Sequence, residues 1–113
     1  TGTKLVFPDV TRRANAARLG EEFRSGSCHA GEYESSLVMA VRPDLVPEEV
    51  RTALPELFVP MHERYRDGAR DFLSAGMMRA YCGHPATATV DEGERLYEQL
   101  AEMLATAVIE SFA

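Results

Sequence analysis

Apolar residues recur at helical spacing along most of this chain, and only one short stretch reads as a strand. Lys4–Phe7 is a compact apolar run with a β-branched member, closed by Pro8-Asp9, which predicts a buried strand ending in a loop. Met77–Cys82 is a weak second candidate. A single strand is not a stable sheet, so the neighbours of Lys4–Phe7 are expected to come mostly from elsewhere. Ala16, Leu19, Gly20 and Phe23 predict a short helix over residues 15–23, and Arg24–Ser27 reads as a Ser/Gly loop. From about Glu32, Tyr33, Leu37, Ala40 and Val41 share one side, with Val38 and Met39 beside them. That helix is apolar over most of its circumference, which predicts burial, and Pro43 stops it.

Further on, Val46-Pro47-Glu48-Glu49 opens a short helix, with proline at the first turn and acids matching the positive end of the helix. Leu54–Pro60 carries two prolines and reads as irregular. Tyr65, Ala69, Phe72 and Leu73 form the stripe of a more polar helix over residues 62–75, with Gly76 suited to its C-terminal end. Thr89 and Glu92 have capping-box spacing ahead of the last helix. There Leu96, Leu100, Met103, Leu104, Ala107 and Val108 fall on one face, opposite Glu94, Arg95, Glu98, Gln99 and Glu102. One clear strand with four or five helices, and no internal repeat, reads as the later part of a three-layer α/β domain.

At 113 residues the chain is one domain or a piece of one. Its composition, 45% apolar and 27% charged, is that of a globular protein. The net charge of −6 leaves no electrostatic footprint for nucleic acid or anionic lipid. No apolar run reaches membrane-spanning length. Two cysteines, Cys28 and Cys82, make no disulfide framework and suit reduced thiols in a cytoplasmic protein. The first residue is not Met, so a processed or trimmed chain, or the second part of something longer, is expected.

Candidate chemistry concentrates in Cys28–Met39, CHAGEYESSLVM. His29 stands in a Ser/Gly loop just before a helix, where an imidazole can exchange a proton with a reacting group or simply brace the helix. Glu32 lies three residues on and either shares a face with His29 or complements the helix end. Glu34 either orients His29 or holds the preceding loop by accepting backbone N–H bonds. His29, Glu32 and Glu34 are also conceivable metal ligands, although a lone H-x-x-E-x-E is a weak metal signal and zinc sites prefer better-attested spacings. Cys28 reads as a small buried thiol, because adjacent residues point apart. His62 is expected to be exposed, and His84 lies in a loop able to approach a site. Thr1 is a further candidate, as an N-terminal threonine nucleophile using its own amine as base.

The segment His29-Ala30-Gly31-Glu32-Tyr33-Glu34-Ser35-Ser36-Leu37-Val38-Met39-Ala40, followed by Arg42-Pro43-Asp44-Leu45-Val46, resembles the H-A-G-x-x-E-[ST]-S-x-x-x-A…P-[DE]-L-V stretch of the creatininase (creatinine amidohydrolase) family. Ala80-Tyr81-Cys82-Gly83-His84-Pro85-Ala86-Thr87-Ala88-Thr89, then Glu92-Gly93, is similar to that family's G-x-x-G-D-P-x-x-A-[ST]…[EK]-G segment. The resemblance implies a three-layer α/β/α domain and metal-dependent hydrolysis of a C–N bond in a cyclic or linear amide, formamide or peptide. It implies two divalent metals, zinc, manganese or iron. His29 matches the family's candidate proton donor or acceptor, and Glu34 matches a glutamate that supports the site.

Three departures refine these expectations. The family's metal-ligand segments, of E-x-H…D and H-G-G-N type, are not in this sequence. Residues 1–113 therefore resemble the C-terminal portion of one creatininase-like domain, with the metals held mainly outside this chain. A companion or cleaved chain carrying the N-terminal half, and assembly into a homo-oligomer, are the expected partners. Ser25 occupies the place of a substrate-covering tryptophan four residues before the histidine, which points away from creatinine as the substrate. His84 stands where aspartate is usual. The alternative is a non-catalytic accessory half that stabilises a partner subunit.

Overall fold

The computed structural model describes residues 2–113. Thr1, the proposed N-terminal nucleophile, lies outside the described residues. Six α-helices are present among them: α1 (Arg13–Ala16), α2 (Glu21–Ser25), α3 (Glu32–Val41), α4 (Glu48–Thr52), α5 (Met61–Arg66) and α6 (Val90–Ser111). Short 3₁₀ turns occupy Pro43–Leu45 and Pro85–Thr87.

The expected α/β/α arrangement is not found: the described residues contain no strand and no sheet. Lys4–Phe7 runs without a backbone partner, with Leu5 95% and Phe7 84% exposed. Its ties are at Lys4, which donates to the Ser111 carbonyl and sits over the Phe112 ring. A strand pattern announces an extended conformation but cannot supply the neighbour that makes it a sheet. The nearest thing to a ladder is a pair of isolated antiparallel bridges, His29 to Cys82 and Leu57 to Gly83. Ser27 reinforces this patch, accepting from the Val59 N–H and donating to the Leu57 carbonyl.

Helix packing does the work assigned to the sheet. Helix α6 begins where Thr89 accepts the Glu92 N–H at 3.0 Å, as its spacing predicted. The reciprocal half of the capping box is absent, since Glu92 instead engages Arg95. The Thr89 N–H is taken by the buried Ser36 hydroxyl of α3. Helices α3 and α6 cross at Gly93, where a Cβ would lie 2.7 Å from the Ser36 carbonyl carbon and 2.8 Å from the Ala40 Cβ. Tyr97 closes the crossing by donating to the Leu37 carbonyl at 3.0 Å. Leu96 and Met103 of α6 join Leu19 in one core, flanked by Phe23, Tyr33, Leu37 and Leu100. A second core gathers Val59, Ala75, Met77 and Cys82.

Several predicted elements are shortened, and each break has a cause. The helix expected over residues 15–23 splits into α1 and α2 around Gly20, whose φ is +104°. The helix expected over residues 62–75 ends by Arg66, ahead of Gly68 at φ +110°, and Phe72 and Leu73 fall in turns. Helix α3 is less buried than its apolar circumference implied, with Val38 and Val41 exposed, because α6 covers only one side of it.

The α3–α6 crossing tolerates no side chain at Gly93. Gly93→Ala should lower unfolding free energy by about 1–3 kcal/mol, as overpacking does, whereas the exposed Glu94→Ala should change it little. Urea denaturation of the two variants measures both.

Candidate functional site

The loops around Cys82-Gly83-His84 and the start of α3 enclose a cleft of about 300 Å³. Its walls include Glu22, Ser27, Glu32, Glu56, Phe58 and His84. One carboxylate organises it. Glu22 Oε2 accepts the Glu32 N–H and the His84 N–H, each at 2.7 Å, and Oε1 accepts the Tyr33 N–H at 3.1 Å. A side chain on α2 thus caps α3 and fixes the His84 loop at once. Two of the donors are free N–H groups of the first turn of α3, which no residue inside that helix can satisfy.

Two glycines make room for this carboxylate. A Cβ on Gly31 would stand 2.5 Å from Glu22 Oε2 and 2.7 Å from the Cys82 carbonyl. A Cβ on Gly83 would overlap the same carboxylate, and Gly83 also has φ +98°. Glycine is required there on both counts. Buried Arg51 holds the far side of the loop, donating to the Pro85 and Ala86 carbonyls at 3.2 and 2.8 Å.

The residues singled out in the sequence separate into distinct roles. Glu34 accepts the Ala30 N–H at 2.6 Å, the loop-holding arrangement among its two options. Ala30 has φ +50°, so the turn is one that non-glycine residues rarely adopt, and the carboxylate pins it. Glu32 faces Thr87, whose hydroxyl donates to it at 2.5 Å. The His29 backbone pairs with Cys82 in both directions. Its half-buried imidazole has no hydrogen-bond partner among the described residues and lies against the Phe72 ring, centroids 4.3 Å apart. His29 is not part of the cleft lining; the histidine there is His84, whose Nδ1 is 3.9 Å from Glu56. His62 is exposed, as expected.

His29, Glu32 and Glu34 do not converge as metal ligands. Among the described residues no group of three or more His, Cys, Asp or Glu side chains is placed to hold a metal ion. The donor sets explain this: Glu22, Glu32 and Glu34 are each committed to protein N–H or O–H groups. These residues do not fit a metal centre.

Both cysteines are free. Burial, and then the nearby Glu22 and Glu34 carboxylates, push the Cys28 thiol well above its ordinary value. Burial likewise raises Cys82. A thiol in that environment is a poor nucleophile.

Sequence reasoning missed Glu22, Arg51, Thr87 and Phe72. Glu22 bonds residues 10 and 62 positions away, so no local spacing reveals it. The only sequence signal was indirect, in glycines at 31 and 83.

Glu22→Ala leaves three backbone N–H groups without their acceptor, and unfolding free energy should fall by about 1.5–3 kcal/mol, the range for hydrogen bonds to a charged group. Glu22→Gln, which keeps one oxygen, should lose less; chemical denaturation ranks the pair. A second expectation concerns pH. A raised thiol stabilises the fold below the free thiol value, near 8.5, and that stability is lost as pH rises above it. The melting temperature should therefore fall between pH 8.5 and 10, more gently in Cys28→Ser. A fall no smaller in the variant would clear Cys28 of the effect.

Comparison with known families agrees with the motif reading. A family model described as Creatininase: Creatinine amidohydrolase matches residues 2–108. No curated protein and no solved structure matches. The family is one of amidohydrolases, generally metal-dependent. With nearly its whole length matched, this chain belongs to the creatininase family.

Proposed function

We propose that this chain takes part in hydrolysis of the C–N bond of a small cyclic or linear amide, formamide or peptide, with His29 delivering the proton to the departing nitrogen. The observation that carries this reading is the state of His29 in a chain of amidohydrolase family. Its backbone is bonded on both sides to Cys82, and the next residue is pinned by Glu34, yet the imidazole itself remains unengaged by hydrogen bonds among the described residues. A general acid has to be held in place and still have its ring nitrogens available. Glu34 acts as a positioning residue, through the backbone of the turn rather than through the ring.

On this reading the divalent metals, two per site and of zinc, manganese or iron type, are held mainly by residues outside this chain, on a companion or cleaved N-terminal segment. Carboxylates already bonded within the chain are in keeping with that division. The exposure of Leu5 and Phe7 supports an assembly that covers them, in which copies of the unit associate further. No helix of the described chain is long and apolar enough to cross a membrane. A cytoplasmic setting suits its two free thiols.

The test is His29→Ala in the purified assembly, supplied with divalent metal and assayed for amine or ammonia release from a panel of lactam, formamide and dipeptide substrates. The rate should fall roughly a hundredfold to ten-thousandfold, with metal content unchanged. Glu34→Ala should reduce the rate and loosen the turn at Ala30. Unchanged turnover in His29→Ala removes His29 from the reaction, and an assembly inactive on every substrate while loaded with metal favours a purely accessory role.

A further inference from the structure

We propose that Phe72 is a positioning residue for His29: its ring is the platform that sets the orientation of the imidazole. This rests on the reading of His29 as proton donor, and it adds the element that reading lacks. A histidine in a reaction site is ordinarily aimed by a hydrogen bond from its second ring nitrogen. His29 has none among the described residues, so backbone pairing alone leaves both its side-chain torsions free. Phe72 supplies the restraint. The ring centroids are 4.3 Å apart with planes tilted by 38°, a contact that covers one face of the imidazole.

Phe72 is itself held in place. Asp71 accepts the Ser74 N–H and hydroxyl, each at 2.7 Å, and the Ser74 hydroxyl accepts the Arg70 and Asp71 N–H groups. The Phe72 carbonyl accepts the Met77 N–H at 2.8 Å across a turn that reverses at Gly76, φ +98°. Ala75 and Met77 then enter the core that contains Cys82, and Cys82 is the residue bridged to His29. The two rings are therefore carried by one core, through short links on either side. Phe72 itself is 37% exposed, so replacing it leaves Ala75 and Met77 their packing.

The experiment uses the full chain with Phe72→Leu, which keeps apolar bulk without a ring, and Phe72→Tyr, which keeps the ring. Nuclear magnetic resonance reports the ring-current shift on the His29 ring protons, with His62 and His84 as internal references. Peptide mapping after diethyl pyrocarbonate treatment reports the modification rate of each histidine. In Phe72→Leu the His29 signals should move toward unstacked positions and its modification should accelerate by roughly two- to twelvefold, the factor equivalent to the worth of one aromatic pair. Phe72→Tyr should match the parent in both. Unaltered His29 signals and rate in Phe72→Leu overturn the proposal, as do equal changes in both variants, which would mark a disturbed loop instead of a lost platform. Neither readout needs turnover, so failure of the proposed hydrolysis is seen separately, in His29→Ala.

Discussion

A single carboxylate, that of Glu22, joins three segments that have no other reason to meet. It caps the first turn of α3 through the Glu32 and Tyr33 N–H groups and fixes the His84 loop through a third. In a chain with no sheet among its described residues, backbone groups in loops have no ladder to satisfy them. A charged acceptor shared by three donors answers that need at one point, and charge-assisted bonds are the stronger kind. The cost is steric. The carboxylate occupies space that a Cβ at Gly31 or Gly83 would fill, so both glycines are tied to it.

From that point the order spreads in two directions. Toward α6, the capped start of α3 places Ser36 to take the Thr89 N–H and to lie under Gly93, which seats the long helix. Toward the second core, the His84 loop carries Cys82 and Gly83 into bridges with His29 and Leu57. The core around Leu19, Leu96 and Met103 and the core around Val59, Ala75, Met77 and Cys82 are each small. A polar hub between them links the two where apolar burial alone does not. Arg51 repeats the device on a smaller scale, a buried cation spent on the carbonyls of the Pro85–Thr87 turn.

Much of this was legible in the sequence wherever the cause was local. Thr89 caps its helix three residues on, Pro43 ends α3, and Pro47 opens α4, because each acts on its own neighbours. The loop-holding role of Glu34 was open to view for the same reason, its partner being four residues back. The apolar run Lys4–Phe7 was misleading because periodicity describes which conformation a segment prefers and not whether a partner exists. The breaks at Gly20 and Gly68 were hidden inside patterns that continued past them. Glu22 was illegible, since its donors are distant in sequence and two acids after a glycine look like any solvated helix start. The contact of Phe72 with His29 was hidden similarly: Phe72 fitted the stripe of a helix that the chain does not form.

The commitments of the acids narrow what chemistry the described residues can perform. Glu22, Glu32 and Glu34 lie at or near the mouth of α3, and all three are bonded to protein hydrogens. A carboxylate so engaged has its oxygens taken up by the protein's own donors and holds its loop in place. Both thiols are held toward their neutral form. Among the described residues, what remains without a hydrogen bond of its own at or beside the cleft is two imidazoles and one carboxylate: His29 against the Phe72 ring, and His84 with Glu56 3.9 Å away. Amide hydrolysis needs two contributions, polarisation of the carbonyl and protonation of the leaving nitrogen. The described residues have a group suited to the second, while the acids that could have held a carbonyl-polarising cation are spent on their own loops. On the proposed reading, that division of labour is why the acids of CHAGEYESSLVM serve the backbone while its one histidine is kept for the reaction.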